Sequence, residues 1–346
     1  VAAVVLVAGA GVTWVLLRPA DGPSLRSAPD TSRLQDAVGD AVADHPVPGV
    51  QVAVVGGGRT TWTRAWGAGI DDDTVFQVGS LSKPVAAATI AHLADEGVLD
   101  LDAPVADLLT SWTLPAGTPH ADDITLRRLL SHTAGIDVAG YLGHDPTAPL
   151  PTTAQALDDD TTTADGDRVA QDGDVGSFRY SGGGYTIAQQ VVEDVTGRPF
   201  ADVVAEQVLA PLGMTRSGYD CTTTDAASAD ETTGHDLGGR TSPRWRYAEQ
   251  AAAGLCSTAA DLARFAAWLG SEDPVAAAVR RPVAASYGLG VHVDDVDGET
   301  VVGHDGNNRG WMSDLRIDPA TGIGLVVVTN GDAGGAVIDA AQAATR

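Results

Sequence analysis

The 346-residue sequence predicts an α+β fold: an antiparallel sheet built from both chain ends and flanked by helices, with a large, mostly helical domain inserted between them. Three observations carry this. Two β-rich runs separated by Gly56-Gly57-Gly58 lie near the start, four more lie close to the end, and between them the apolar spacing is helical. Strands this far apart can share one sheet only if the intervening chain leaves the sheet and returns, which brings the two chain ends together.

The elements follow in order. Val1 to Leu17 carries no charge and Arg18-Pro19 closes the run. A helix of that length spans about 26 Å, a little short of a hydrocarbon core of about 30 Å. Residues 1–18 are read as a membrane anchor ahead of a cleaved signal segment, because Arg18 stands where cleavage wants a small residue. A chain that starts at Val1 is expected to lack its true start and the basic flank there. Either reading predicts an extracytoplasmic domain, anchored or secreted. Residues 19–30, rich in Pro, Ser and Asp, read as a linker.

From Thr31, Leu34, Val38 and Val42 share one helical face up to His45-Pro46. Gly49 to Val55 and Thr60 to Trp66 then form a hairpin across the triple glycine. The middle predicts helices over Val85–Leu99, Leu126–Leu130, Tyr185–Val195, Phe200–Leu209 and Ala259–Leu269, with residues 158–174 as a mobile acidic loop. Strands are predicted over Tyr287–Val293, Thr300–His304, Met312–Ile317 and Ile323–Thr329, then a helix over Ala336–Ala344. Residues 31–85 and 284–346 thus make the sheet domain, and 86–283 the helical one.

Composition narrows the function. The formal charge is −25, with 46 acidic against 21 basic residues. Such a surface cannot neutralise phosphates, so nucleic acid is excluded as a partner, and membrane contact is expected only through residues 1–18. The eight histidines lie singly, with no Cys/His cluster at ligand spacing, so no metal or other cofactor is expected. Cys221 and Cys256 can form one bridge in an oxidising compartment or remain two thiols. A monomer acting on a small-molecule or peptide substrate is the expectation.

Twenty of the 21 basic residues are arginine; the single lysine is Lys83. Arginine stays protonated at physiological pH, whereas a desolvated lysine can lose its proton. Ser80 lies three residues earlier, at the start of a helical run where Pro84 is tolerated. That spacing puts both side chains on one face, so a neutral amine can take the serine proton. The bland alternative is an N-cap serine beside a surface lysine.

Further segments tip the balance. Ser80-Leu81-Ser82-Lys83, Leu129-Leu130-Ser131-His132-Thr133-Ala134-Gly135, Tyr180-Ser181-Gly182 and His304-Asp305-Gly306 occur in this order. This set resembles the serine β-lactamase-related hydrolases, which include class C β-lactamases, D-alanyl-D-alanine carboxypeptidases, D-aminopeptidases and β-lactamase-like esterases. The resemblance runs from about Thr31 to the end, with Gly254-Leu255-Cys256-Ser257-Thr258 and Gly310-Trp311-Met312 where the family has similar turns. It implies Ser80 as acylated nucleophile, Lys83 as base, Tyr180 as proton-transfer group with its pKa lowered by the amine, and the Ser80 and Asn307 amides as oxyanion hole. His304, where many members have lysine, would orient substrate together with Asp305, Gly306 and Gly182. His132 is expected to pin a helix end.

Two departures bear on substrate. Gly182 stands where asparagine is usual, removing a contact to an acyl side chain, and Asp305 replaces a hydroxyl residue, which would repel a β-lactam carboxylate. The resemblance therefore implies a peptidase or esterase ahead of a β-lactamase. The alternative from another class is a catalytically inactive cell-envelope binding protein on the same fold.

Overall fold

The computed structural model describes residues 22–219, 221, 232–284 and 286–346. The anchor or signal segment predicted over residues 1–18 lies outside the described residues. Strands β1 (Val50–Gly56), β2 (Arg59–Trp66), β5 (His292–Val296), β6 (Glu299–Asn308), β7 (Trp311–Asp318) and β8 (Ile323–Thr329) form one antiparallel sheet. Their order is β2-β1-β8-β7-β6-β5, so the strands of the two chain ends meet at β1 and β8. A second, two-stranded pairing joins β3 (Phe76–Gln77) to β4 (Cys256–Ser257).

Period-two alternation divides the strands between two cores. Val50, Val52, Val54, Leu325 and Val327 point to one face, where they meet Leu34 and Val38 of α1 (Thr31–Asp44) and Val337 and Ile338 of α9 (Gly334–Ala343). Ala53, Val55, Val326 and Val328 face the larger core of the helical lobe. That lobe contains α2 (Ser82–Asp95), α3 (Leu126–Leu130), α4 (Thr153–Leu157), α5 (Gly182–Thr196), α6 (Phe200–Val204), α7 (Ala259–Leu269) and α8 (Pro274–Val279).

Four sequence readings need correction. Residues 22–30 are not a free linker: Leu25 is fully buried on the sheet, its carbonyl accepts from Thr321 Oγ1 at 2.8 Å, and Arg26 pairs with Glu299. The acidic 158–174 segment is tied down, with Thr163 and Val169 buried and Gln171 bridged to Ile136. The strand expected over Tyr287–Val293 begins only at His292, because Gly288 and Gly290 break it; Gly290 takes a left-handed φ of 75°. The helix expected over Phe200–Leu209 is α-helical only to Val204 and then widens into a π-helical turn, Ala205–Leu209.

Candidate active site

The sequence leaves β3 at Gln77, passes through a 3-10 turn at Gly79–Leu81 and enters α2. Gly79 is required in that turn. Its φ is 52°, and a Cβ there would stand 2.7 Å from the Asn307 nitrogen. Gly306 makes the matching approach from β6, since a Cβ on it would come within 2.0 Å of the Val78 carbonyl oxygen. Two glycines therefore let the Ser80 turn and the β6 edge touch backbone to backbone, with Ser313 Oγ donating to Val78 O at 2.8 Å as a tie. β5 pairs only with residues 299–303 of β6, which leaves the stretch from His304 onward without a strand on that side among the described residues.

Ser80 is half-buried and reachable, while Lys83 is 2% exposed. Lys83 Nζ donates to Ser80 Oγ at 2.9 Å and to the Ala252 carbonyl at 2.8 Å, and lies 4.9 Å from the centre of the Tyr180 ring. Burial pulls the amine from its ordinary 10.5 down to about 7, against the opposing pull of the Asp305 carboxylate. An amine that is half neutral near pH 7 can take a proton from the hydroxyl it touches.

Tyr180 hydrogen-bonds the Ser80 side chain. Its expected low pKa is not found: burial raises the phenol, outweighing the Ser80 hydrogen bond, and the Asp305 carboxylate raises it further. A neighbouring amine lowers a phenol only while it carries charge, and Lys83 is held near neutrality.

The structure brings Ser80, Lys83, Tyr180, Asn307 and His304 together. His304 is 2% exposed with its ring 5.9 Å from that of Tyr180; its Nδ1–H donates to the Asp305 carbonyl, and burial keeps the ring well below the usual histidine range. Asp305 does not act on the cleft as an isolated charge, because the Arg316 guanidinium lies 3.7 Å from it. Gly182 has no room for a side chain. It is buried as the first residue of α5 under Ala139–Tyr141, where a Cβ would meet Tyr141 at 3.2 Å. Cys221 and Cys256 form a disulfide with Cα atoms 5.8 Å apart.

Sequence reasoning missed the shelf that receives Lys83. The π-helical turn Gln250–Gly254 presents Ala252 O to the amine. Gln189 accepts from Ala251 N–H, Asn308 donates to Ala253 O, and Ser82 Oγ accepts from Leu255 N–H. Only the glycine-containing segment after it, Gly254 to Thr258, gave any signal. A partly open pocket of about 110 Å³ is lined by Gln77, Gln250, Tyr219, Trp245 and Tyr247, and does not include Ser80, Lys83 or Tyr180. Among the described residues, no set of three or more His, Cys, Asp or Glu is gathered to hold a metal.

The Beta-lactamase family model matches residues 34–345. Penicillin-binding protein 4 of Amycolatopsis lactamdurans is 31% identical over 83% of this chain and 82% of its own length. A D-aminopeptidase of Brucella anthropi is 26% identical over 82% of this chain, which spans only 56% of that relative. Among solved structures, the octameric penicillin-binding protein homologue from Pyrococcus abyssi superposes with a TM-score of 0.74 at 23% identity, covering 90% of this chain and 76% of that one.

Proposed function

Because the chain belongs to the β-lactamase family of serine hydrolases, we propose that it is an extracytoplasmic peptidase or esterase that cleaves an amide or ester through an acyl-enzyme on Ser80. One observation carries the reading: a buried amine with a pKa near 7 rests 2.9 Å from a reachable serine hydroxyl. Neutral Lys83 takes the Ser80 proton as Oγ bonds the substrate carbonyl carbon. The carbonyl electron pair moves onto oxygen, where the backbone N–H groups of Ser80 and Asn307 receive it. On collapse, Tyr180 donates its proton to the departing amine or alkoxide and recovers one from Lys83. Water then attacks the acyl group, with the same groups working in reverse. The high pKa of Tyr180 suits a proton donor and makes Lys83 the base.

Two features favour peptidase or esterase over β-lactamase. His304 is neutral, so it offers no positive charge to a β-lactam carboxylate, and Asp305 adds a nearby negative one that Arg316 only partly offsets. The similarity to a D-aminopeptidase points the same way. The substrate is a small molecule or peptide, the protein a monomer held at the membrane through residues 1–18 or secreted. Labelling wild type and Ser80→Ala with a fluorophosphonate and a fluorescent penicillin tests this. Wild type alone is expected to label. Equal labelling of both would remove Ser80 as nucleophile, and labelling of neither would favour the inactive binding protein.

A further inference from the structure

We propose that His132 is the positioning residue of Tyr180, holding its phenol against Ser80 by gripping the backbone on both sides of it; this rests on the hydrolase reading above. Three contacts from one residue make the grip. The His132 carbonyl accepts from Arg179 N–H at 2.8 Å, and its Nδ1 accepts from Ser181 N–H at 3.0 Å. Its ring lies on the Tyr180 ring with centroids 4.3 Å apart. Tyr180 is thus fixed at the residue before, at the residue after and along its own ring. His132 can offer carbonyl and ring to the same loop because its φ is 58°, a left-handed turn one residue past the Ser131 C-cap of α3. Ser181 is the N-cap of α5, its Oγ accepting from Gly184 N–H and donating to Asp137 O, so the grip ties Tyr180 to a helix start. His132 thus pins a helix end, and the geometry adds that the residue held between is Tyr180.

The bond to Ser181 also fixes the state of the imidazole. An Nδ1 that accepts carries no proton, so the neutral ring bears it on Nε2, which is buried without a hydrogen-bond partner. Protonating Nδ1 would set one N–H against another and open the grip. The surroundings oppose this: the ring is 2% exposed and packed by Phe178, Tyr180, Tyr185 and Tyr287, so burial pulls it well below the usual histidine range, and any charge on Lys83 disfavours a second one here.

The test separates positioning from general stability. Tyr180 matters most where the leaving group needs a proton, as in D-alanine p-nitroanilide, and least for p-nitrophenyl acetate, whose phenolate leaves without one. His132→Asn keeps an acceptor near the Nδ1 position and tolerates positive φ. It should retain kcat on the anilide within about fivefold, whereas His132→Phe and His132→Ala should lose about 30- to 100-fold with KM changed less than about threefold. All three should stay within about tenfold on the acetate. Equal losses on both substrates, or an Asn variant as poor as Phe, would overturn the proposal. Should the Phe and Ala variants not fold, the ¹⁵N spectrum of wild type, assigned through His132→Asn, decides. A His132 proton on Nε2 from pH 5 to 9 supports the grip, and a proton on Nδ1 or a titration in that range overturns it. Turnover that survives Ser80→Ala would instead remove the hydrolase reading on which the grip depends.

Discussion

Replacing Lys83 with arginine keeps the positive charge and removes the ability to lose it. The amine is drawn from 10.5 to about 7 by burial, a difference worth about 5 kcal/mol between its two protonation states. At pH 7 an ordinary lysine is neutral in about 3 molecules per 10⁴, whereas one with a pKa near 7 is neutral in about half. Burial therefore supplies about a 10³-fold gain in competent base, and a guanidinium forfeits all of it. The sign is fixed by which form works. Neutral Lys83 is the base, so acylation is present above about pH 7 and falls about tenfold per unit as pH drops below it. The assay is the single-turnover rate of fluorophosphonate labelling of wild type and Lys83→Arg from pH 5 to 9. The variant should fall by at least about 10³ at pH 7.5. A variant that keeps more than about a tenth of the rate, or a wild-type profile flat across that range, would refute the argument.

Other outcomes follow from the same structure. The folded pKa of Lys83 lies below its unfolded value, so the unfolded chain holds the extra proton between about pH 7 and 10.5, and stability should rise with pH through that window. Lys83→Met removes the buried amine and should raise stability by about 1 to 3 kcal/mol at pH 6 while abolishing labelling, as urea titration would show. Gly79→Ala places a Cβ against Asn307 in a left-handed turn; it should cost about 1 to 3 kcal/mol and at least 10²-fold in labelling rate, read by melting and labelling together. Cys221→Ser removes a cross-link between residues 35 apart in sequence. It should lower unfolding stability by about 3 to 4 kcal/mol, and dithiothreitol should bring wild type to the same value.

The sheet was legible because its signals are local. The valine-rich runs of β1 and β8, the triple glycine and Asp318-Pro319-Ala320-Thr321-Gly322 each declare strand or turn within a few residues, and β8 and α7 fall at their predicted limits. Ser80, Lys83 and Tyr180 were legible as spaced motifs in order. Features set by tertiary packing were not. Leu25 looks like any apolar residue in a Pro/Ser stretch until Thr321 and the sheet edge cover it. Gly182 marks a missing side chain in sequence, but its space is taken by Ala139–Tyr141, which no linear pattern places there. The Tyr180 shift was misjudged for the same reason: proximity to an amine can be read from motifs, but the desolvation that neutralises the amine and raises the phenol belongs to the packed lobe.

That desolvation makes a site of the pair, since Ser80 and Lys83 at the same spacing on an exposed helix would form a surface hydrogen bond with a lysine near its ordinary pKa. The burial is assembled from distant segments through named polar bonds. Leu255 accepts from Val78 N–H and donates to Ser82 Oγ, which locks the π-helical turn to both sides of the Ser80 turn. Asn308 donates to Gln77 Oε1 and Ala253 O, tying β6 to β3 and to that turn. Cys256, next in chain to Leu255, is bridged to Cys221 and paired with Gln77. Ala252 O is thereby held where the amine must either donate to it or leave it unpaired, so Lys83 keeps one geometry whether or not it carries charge. A lysine fixed in this way can lose its proton without moving, and that is the requirement on a base which must meet the same hydroxyl at every turnover.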